Sequence, residues 1–349
     1  MIIYYLPIFL SCIGYFFYRK NTLYLFVLVV FAAFLVGLRG DVDKDYLAYE
    51  FLYNLAPDFK EGFIDNFIGY YNHVNMELGF VVLNTFLKFL DIGFNGVFLF
   101  HAAISFLFVY YIAKNHYANS YLVFGFLYIF TFIGLWVQIR FGLASLGVLA
   151  SVFLYHQNKK ILAVIPALIA ISFHSVSWVF MLVIPIYYVF CFRGITTGLK
   201  ISVFLFLSLM IAIFDLGEIL GRFLSFFNER YEAYSMVEGG TRASFFMRLA
   251  IFIIFSTLIS PNIFKIPLYR MLFSMALASV FVWSFSWSIG VLYRAGVLLE
   301  LGYCVFLVKE VYASRYRYII GLCALSILAF WRLLPAVDEL KPYTVYWAS

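Results

Sequence analysis

The sequence predicts an all-α polytopic integral membrane protein, and three observations carry that prediction. The 349-residue chain is 65% hydrophobic, and its mean hydropathy of +0.97 leaves no room for a soluble domain of ordinary size. Long apolar runs such as 148–155 suit helices, whereas the alternating segments of about 10 residues that build outer-membrane barrels are absent. Spans of about 20 residues allow roughly 12 to 14 crossings, all within a single transmembrane domain, 1–349.

The formal charge of +6 is explained by short basic loops. No basic cluster is present that would contact successive phosphates, so we expect no nucleic-acid partner. The first basic pair, Arg19 and Lys20, follows the first apolar run instead of preceding it. That order predicts an uncleaved first span whose start lies outside the cytoplasm.

The positive-inside rule then assigns the basic turns to the cytoplasmic side. These turns lie at 114, 159–160, 193–200, 265–270 and 315–317. From residue 159 onward the predicted spans alternate without conflict, at 161–174, 176–192, 200–217, 245–260, 268–285, 290–308 and 316–333. The tail from Pro335 and two longer loops, about 39–76 and 218–244, are then predicted to face outward.

The region 77–113 does not fit two simple crossings. With 39–76 outside and Lys114 inside, it must cross an odd number of times, yet it contains two apolar pieces, 78–90 and 94–113. We expect only the second piece to cross. The first would belong to an amphipathic or re-entrant segment near 61–90, which is tolerated at membrane depth only when buried in protein or lining a cavity. The alternative is that both pieces cross and that the charge rule fails once.

The predicted outer face collects most of the acidic residues, and its densest polar group follows the second span. This group consists of Arg39, Asp41, Asp43, Asp45, Tyr46 and Tyr49. Three alternate carboxylates are compatible with a divalent cation, but the glycine and bidentate glutamate of a calcium loop are missing. The other interpretation is a solvated loop capped by aspartates, with tyrosines at the interface.

Two further outer turns each contribute one ionisable side chain. Arg140 stands at the start of an apolar helix, where the helix dipole disfavours a cation. It either snorkels to lipid head groups or binds an anionic ligand together with nearby N–H groups. His174 lies where two predicted spans meet, and it is either structural or the general base or acid of this face.

Arg294 and Glu300 lie inside the predicted span 290–308. Ionisable groups at such depth indicate either a function or a partnered structural role. Six positions apart, the two point to different faces of a helix. The loop 218–244 combines arginines with Tyr231 and Tyr234, a mixture found in sugar-binding surfaces and equally in aromatic belts at membrane interfaces.

Taken in order, these motifs resemble the EpsG family, which is similar to the Wzy-type polymerases of bacterial surface polysaccharide, either O-antigen or exopolysaccharide. The resemblance spans nearly the whole chain. It rests on Gly-Leu-Arg39, Asp43-x-Asp45-Tyr46-x-x-Tyr49, Glu77-x-Gly-Phe, Ile-Arg140-x-Gly-Leu-Ala, Phe-His174-Ser and Lys-Pro342-Tyr343.

The resemblance implies a GT-C-like glycosyltransferase that joins oligosaccharide repeat units carried on undecaprenyl pyrophosphate, at the outer face of the bacterial inner membrane. Such a donor brings its own leaving group, and the chain has no nucleotide-binding glycine motif, so no cofactor and no metal are expected. The implied partners are the lipid-linked oligosaccharide, the bilayer and a chain-length regulator protein.

Fixed arginines would stabilise the charge on the departing pyrophosphate, which predicts a binding role for Arg39, Arg140, Arg248 and Arg294. Arg140 is therefore also predicted to be catalytic. His174 is the first candidate for the base that deprotonates the acceptor hydroxyl, and Asp45 is the second. The predicted sugar-binding residues are Asp43, Tyr46, Tyr49, Glu77 and Tyr343.

Two rival functions stay open. A flippase or transporter of the same lipid-linked sugar would use Glu300 as a proton carrier and would spread polar residues through the membrane midplane, whereas here they concentrate at the outer ends. An outer-face ligase or acyltransferase would share the lipid carrier, the histidine and the arginines. Only the order of the motifs favours a polymerase over this second rival.

Overall fold

The structure is a computed structural model in which all named elements of the described residues are helical. The described residues are 2–18, 21–43, 45–57, 63–74, 76–115, 119–192, 196–216, 218–219, 241–286, 289–338 and 340–345. Within these ranges two isolated β-bridges occur, Arg39 with Val345 and Ile259 with Tyr312. The predicted all-α class is confirmed.

The first half of the chain forms ten helices within the described residues. They are α1 Ile2–Phe17, α2 Thr22–Gly37, α3 Tyr46–Asn54, α4 Phe63–Val74, α5 Leu78–Phe89, α6 Asn95–Asn115, α7 Ser120–Phe130, α8 Phe132–Trp136, α9 Ile139–His156 and α10 Lys160–Phe173. The later helices are α11 Val183–Cys191, α12 Thr197–Ile213, α13 Arg242–Leu258, α14 Pro267–Trp283, α15 Gly290–Leu299 and α16 Arg315–Asp338. Short 3-10 helices cover Ser175–Leu182, Pro261–Lys265, Glu300–Leu307 and Lys309–Val311.

The helices match the predicted spans in position. Three of the described helices, α6, α9 and α16, are long and apolar enough to cross a membrane by length and composition. Shorter apolar helices cover most of the other predicted spans. Two spans are completed by 3-10 turns, because Ser175–Leu182 runs into α11 and α15 runs into Glu300–Leu307. The protein is therefore an all-α polytopic membrane protein.

Two boundaries differ from the sequence prediction. The last helix, α16, continues through Pro335 to Asp338 instead of ending at 333. The predicted outer loop 39–76 contains the helices α3 and α4. Helix α3 forms there because Tyr46, Tyr49 and Tyr53 recur at helical spacing and are all buried on one side.

The segment predicted to be amphipathic or re-entrant, near 61–90, consists of α4 and α5, with residues 61 and 62 outside the described part. Each helix has 12 residues, which is about 18 Å at 1.5 Å per residue, less than the hydrocarbon thickness of about 30 Å. Helix α4 buries Tyr70 and exposes Ile64, Ile68 and Tyr71 along one stripe. That stripe gives α4 the amphipathic character expected of an interfacial helix.

The chain divides into two compact units, Met1–Ser177 with Trp331–Ser349, and Trp178–Phe330. In the first unit α9 packs on α6 and α10, and α6 also packs on α2. In the second unit α14 is the central helix, with α11, α12, α13 and α15 around it. The single transmembrane domain that we expected stays a prediction.

The predicted cytoplasmic turns of the first unit come together at one end. The hydroxyl of Tyr121 donates to the carbonyl oxygen of Asn21 at 2.6 Å. The hydroxyl of Tyr111 donates to Oε1 of Gln157 at 2.8 Å. Three turns predicted to share a side of the membrane are thus joined by hydrogen bonds.

Candidate functional site

The candidate site lies in the first unit, where chain segments far apart in sequence meet. They are the loop after α2, the start of α5, the turn between α8 and α9, and the end of α10. Glycines permit this close approach. A Cβ on Gly134 would lie 2.8 Å from the backbone nitrogen of Gly142, and one on Gly79 would lie 2.6 Å from Oγ of Ser172. The helix ends can therefore bring their polar side chains together.

Glu77 organises the centre of the site, which we call the Arg140 cluster and define as Glu77, Arg140, His174 and Ser175. Nη1 of Arg140 donates to Oε2 of Glu77. Oε1 of Glu77 accepts from the backbone N–H of Ser175 at 3.1 Å and lies 3.9 Å from Nδ1 of His174. Three predicted site residues, Glu77, Arg140 and His174, are thus brought into contact.

The electrostatics of Glu77 favour its ionised form. Burial by itself would raise the pKa of this carboxyl, but the Arg140 guanidinium, the Ser175 N–H and the neighbouring His174 together outweigh burial. The net effect lowers the pKa of Glu77 below its ordinary value. Glu77 is therefore a fixed negative charge that holds cations and N–H donors in place, and its predicted contact with sugar hydroxyls stays a prediction.

When the His174 ring is neutral, a backbone hydrogen bond sets its tautomer. The N–H of Val176 donates to Nδ1 of His174 at 3.2 Å, so Nδ1 acts as an acceptor. In the neutral ring this arrangement assigns the proton to Nε2, because one nitrogen of a neutral imidazole donates and the other accepts. Neutral His174 is then a hydrogen-bond donor through Nε2. Its side chain is 9% exposed, and its predicted role as the base stays a prediction.

Arg140 has unused capacity to bind an anion. Its Nε is buried and has no hydrogen-bond partner among the described residues. The guanidinium carbon lies 5.2 Å from the ring centroid of Phe80 and 5.9 Å from that of Tyr49, so aromatic rings flank the charge. The side chain is 16% exposed. A group that still has N–H donors to offer and reaches the surface suits an oxyanion.

Arg140 also stands where helix α9 offers backbone donors, as predicted. It is the second residue of α9, and no side-chain cap closes this N-terminus. The first N–H groups of a helix have no partner inside the helix and favour anions. The guanidinium and the helix end therefore act in the same direction.

Arg39 and Asp43 form a second charged pair, which we call the Arg39 pair. Nη2 of Arg39 lies 3.4 Å from Oδ2 of Asp43, and both side chains are 0% exposed. Nη1 of Arg39 donates to the carbonyl oxygen of Leu135 at 2.8 Å, and the guanidinium carbon lies 4.3 Å from the ring centroid of Phe98. The guanidinium thus ties the loop after α2 to the end of α8.

Burial dominates the electrostatics of the Arg39 pair. It lowers the pKa of Arg39 and raises the pKa of Asp43, and the attraction between the two charges opposes both shifts. A side chain without exposed surface meets a ligand only after the surrounding chain moves. The predicted contacts of Arg39 with pyrophosphate and of Asp43 with sugar therefore stay predictions.

The C-terminal tail covers the same loop. Nζ of Lys341 lies 2.7 Å from Oδ2 of Asp41, and the N–H of Gly40 donates to the carbonyl oxygen of Thr344 at 2.8 Å. The hydroxyl of Tyr343 donates to the carbonyl oxygen of Leu35 at 3.0 Å. The tail predicted to face outward thus lies beside the loop predicted to face outward. Tyr343 as a sugar-binding residue stays a prediction.

The three aspartates of the loop have different environments. Asp41 pairs with Lys341 and Asp43 with Arg39. The carboxylate of Asp45, at the start of α3, has no hydrogen-bond or ion-pair partner among the described residues. Within the same residues no three His, Cys, Asp or Glu side chains converge in the manner of a metal site. Asp41 and Asp45 are both half-exposed, and of these two only Asp45 has a carboxylate without an ion-pair partner among the described residues.

Tyr46 and Tyr49 are buried in an aromatic core beneath the site. Tyr46 stacks on Phe98 with 5.3 Å between ring centroids, and Tyr49 packs against Phe80 at 5.6 Å. The core also includes Phe94, and it supports the start of α9 through Ile139 and Leu143. The two tyrosines thus hold α3 against α5 and α6, and their predicted contacts with sugar stay predictions.

The two remaining predicted arginines lie in the second unit. Nε of Arg248 donates to Oε1 of Glu300, and these side chains are 5% and 0% exposed. The guanidinium carbon of Arg248 lies 3.6 Å from the ring centroid of Trp283. Glu300 thus has a partner from another helix. Arg294 is half-buried on α15.

Most of the predicted loop 218–244 lies outside the described residues. This applies to Arg222, Arg230, Tyr231 and Tyr234, and in the loop 39–76 also to Asp58 and Glu61. Arg242 is described at the start of α13, where its Nη2 lies 3.4 Å from Oδ2 of Asp215.

Sequence reasoning missed three members of these sites: Ser175, Phe80 and Trp283. Two of them carry a local signal. Ser175 directly follows His174, and Phe80 lies three residues after Glu77, so it shares the face of α5 that begins at Glu77. Trp283 carries no such signal, because it contacts Arg248 across helices.

The helices and the site define a polytopic membrane protein with an arginine–carboxylate–histidine cluster built from helix ends. The sequence model of the EpsG family matches residues 22–345, nearly the whole chain. The protein belongs to the EpsG family, a Wzy-like polysaccharide polymerase family, as the motif order predicted. No curated protein and no solved structure matches it.

Proposed function

We propose that the protein polymerises surface polysaccharide by joining oligosaccharide repeat units carried on undecaprenyl pyrophosphate at the outer face of the bacterial cytoplasmic membrane. Membership of the EpsG family supports a polymerase-like activity. The observation that carries the finer proposal is the Arg140 cluster, in which Glu77 orients a partly exposed guanidinium that keeps N–H donors for a ligand.

The proposed chemistry is a glycosyl transfer without nucleotide. The acceptor hydroxyl forms a bond to the anomeric carbon of the donor sugar, while the bond from that carbon to the pyrophosphate oxygen breaks. Negative charge develops on the departing oxygen. A prearranged guanidinium and helix N–H groups stabilise that charge more in the transition state than in the bound substrate, which is the condition for catalysis.

The acceptor proton needs a base, and two observations support placing Asp45 before His174, the reverse of the order expected from the sequence. Nδ1 of His174 already accepts from Val176, which leaves neutral His174 as a donor. The half-exposed carboxylate of Asp45 stands one helical turn before Tyr49, whose ring flanks Arg140. We therefore assign the base to Asp45, and to His174 the role of donating to a substrate oxygen.

The charge distribution supports an outer location of this chemistry. Of the side chains predicted to face outward, Arg140 and His174 both contact Glu77. A lipid-linked donor reaches such a site from the bilayer, and the energy of the transfer resides in the bond between its sugar and the pyrophosphate, which leaves intact on the lipid. A chain-length regulator is a further proposed partner.

The test is polymerisation by the purified protein in lipid nanodiscs, with its lipid-linked repeat unit as the substrate and the products resolved by size. We expect a ladder of longer glycans that vanishes in Arg140→Ala. The matched control is Arg315→Ala, an exposed arginine in a predicted cytoplasmic turn, which should keep the ladder. A ladder that persists in folded Arg140→Ala would contradict the assignment of Arg140.

A second arm separates the polymerase from the flippase. The protein is reconstituted in liposomes with the lipid-linked unit in one leaflet, and the accessibility of the sugar to an added glycosidase is followed. Movement of intact substrate without a ladder would replace the polymerase with a flippase, and transfer of one unit to a lipid or glycan acceptor without a ladder would indicate a ligase.

A further inference from the structure

The second unit contains a basic cavity that the proposed polymerase reaction does not use. It has a volume of about 550 Å³ and lies between the end of α11, the start of α12, the 3-10 helix Pro261–Lys265 and the start of α14. Its polar lining consists of Lys200, Lys265 and Arg270, with Thr196 and Thr197. We propose that this cavity binds a phosphate group, and we call it the basic cavity.

The first argument is an uncompensated positive charge. Apart from Cys191, the three ionisable side chains that line the cavity among the described residues are cations, and none of those lining residues is a carboxylate. Among the described residues none of the three cations forms an ion pair. Burying a cation without a counter-ion is costly, so a diffusible anion that enters the cavity would be stabilised.

The second argument is the way in which two of the cations are held. Lys200 is only 6% exposed, and its Nζ donates to the carbonyl oxygen of Phe192. Nη1 of Arg270 donates to Sγ of Cys191, and its guanidinium carbon lies 5.1 Å from the ring centroid of Tyr187. Nε of Arg270 is buried and has no hydrogen-bond partner in the described part of the chain. Both cations are therefore positioned in advance and keep N–H donors for a ligand.

The backbone also contributes partial positive charge to the basic cavity, through the starts of two helices. Helix α12 begins at Thr197, and helix α14 begins at Pro267 without a side-chain cap. Residues of both first turns line the cavity or follow its wall directly. The side chain of Thr196 caps the start of α12, so the uncapped start of α14 and the positive dipole ends of both helices reinforce the attraction of the three cations for an anion.

The lining selects the ligand class. A guanidinium fork, two ammonium groups and two hydroxyls offer many donors in different directions, which suits the tetrahedral oxygens of a phosphate ester that carries net negative charge, as opposed to a zwitterionic one. Phe190 and Phe264 stack beside these groups with 5.1 Å between ring centroids and supply an apolar wall. The phosphate belongs either to a lipid head group or to a small soluble phosphate ester.

Thr196, Thr197 and Lys200 on one wall of the basic cavity, and Lys265 and Arg270 on the other, belong to turns that the charge rule assigns to the cytoplasmic side. The site is thus distinct from the Arg140 cluster, which is built from predicted outer residues. Its residues have no role in the proposed transfer, so the two proposals stand or fall separately.

The test is native mass spectrometry of the purified full-length protein, titrated with three phosphate probes and one zwitterionic reference. The probes are inorganic phosphate, glycerol 3-phosphate and phosphatidylglycerol, and the reference is phosphatidylcholine. The variants are Lys265→Gln, Arg270→Gln and their combination. The matched control is Lys159→Gln with Lys160→Gln, which neutralises two exposed lysines of another predicted cytoplasmic turn.

We expect a phosphate probe to bind, and each of the two substitutions to weaken it about tenfold, the loss that follows from removing one charge-assisted hydrogen bond. The control should bind as the wild type does. Binding of glycerol 3-phosphate supports a soluble ester as the source, and binding of phosphatidylglycerol alone supports a lipid head group.

Two results would overturn the proposal. One is the absence of preference for any phosphate probe over phosphatidylcholine, and the other is equal binding by wild type and Lys265→Gln. Lys265 is exposed, so its replacement does not threaten folding, and this variant decides the question even where Arg270→Gln does not fold.

Discussion

The Arg140 cluster and the Arg39 pair combine the same residue types but differ in access to the surface. Arg140 and Glu77 are 16% and 22% exposed, whereas Arg39 and Asp43 are 0% exposed. Both arginines keep buried nitrogens without a hydrogen-bond partner in the described residues, Nε in Arg140 and Nε and Nη2 in Arg39, so the difference lies in exposure. Nη1 of Arg39 also ties two segments together. A partly exposed arginine such as Arg140 can contact a substrate, whereas a fully buried one such as Arg39 can stabilise the loop that carries site residues.

The largest expected effect is on catalysis, at the Arg140 cluster. Arg140→Ala should lower the rate of polymerisation about 10²–10³-fold, because a prearranged donor to the developing charge is lost. The midpoint of thermal unfolding should fall only slightly, about as much as in Glu77→Gln, since both variants lose the same partly exposed ion pair. The polymerisation rate of Arg140→Lys should lie between those of the wild type and Arg140→Ala, because lysine keeps the charge but lacks the planar guanidinium.

Comparing the rate with the unfolding midpoint of the same preparation checks this prediction. A loss of rate that merely follows a loss of folded protein would place Arg140 with Arg39 as a structural residue, and the contrast between the two arginines would disappear.

The second-largest expected effect is on stability, at the Arg39 pair. Arg39→Ala should lower the free energy of unfolding by about 3–5 kcal/mol, because Asp43 is left buried without its partner. Replacing both, as Arg39→Met with Asp43→Leu, should recover most of that loss, since apolar side chains of similar volume tolerate the same burial. Urea titration of the protein in detergent micelles measures both changes.

The contrary result would be informative for the reaction. A folded Arg39→Ala protein with wild-type stability and no polymerisation would show that the loop opens and that Arg39 contacts the pyrophosphate, as the sequence alone predicted.

Whether a feature could be predicted from the sequence depends on how far apart in the chain the contacting residues lie. Helix bounds such as 160–173 for the span predicted at 161–174 follow from local apolar patterns. Arg140 and His174 could be identified separately, since each is a lone ionisable group at a helix end. The contacts that bring both to Glu77 could not be predicted, because they are distant in sequence. Glu77 lies 63 positions from Arg140 and 98 positions from Ser175, the residue after His174.

Two further features escaped for physical reasons. The tyrosines of α3 are spaced as a buried helical face, but the same tyrosines suit a membrane interface, so composition did not distinguish the two. The burial of Arg39 contradicts the usual behaviour of arginine, which is almost never fully buried unless it is paired. Only the position of Asp43, one helical turn later, hinted at the pair.

A smaller effect is expected from pH at the Arg140 cluster. The folded-state pKa of Glu77 is lowered, so the stability from its ion pair is fully present above the unfolded value of about 4.3 and is lost as the pH falls through the folded value. Glu77→Gln should therefore be less stable than the wild type near neutral pH, with the difference shrinking on acidification. Thermal unfolding of both proteins from neutral to acidic pH checks the sign.

Asp43→Asn provides the matched comparison for this pH dependence. The folded-state pKa of Asp43 is raised, so its ionisation opposes folding as the pH rises through the unfolded value of about 3.9. For each variant, the difference in stability from the wild type is plotted against pH on the acid side. The slopes of these two plots should have opposite signs. Slopes of the same sign would mean that burial affects the two carboxylates alike, against the contrast drawn from their exposure.

The smallest expected effect belongs to the tail. Lys341 and Asp41 form an exposed ion pair, with side chains 54% and 38% exposed, and such pairs contribute about 0–1 kcal/mol. Lys341→Ala should leave both the unfolding free energy and polymerisation nearly unchanged, because the backbone hydrogen bonds of the tail, from Gly40 to Thr344 and from Lys341 to Val42, remain. Truncation before residue 340 removes those bonds as well and should destabilise the loop that carries Arg39. If Lys341→Ala alone abolished polymerisation in a folded protein, the exposed ammonium would act on the substrate, and the open region would extend from Arg140 to the tail.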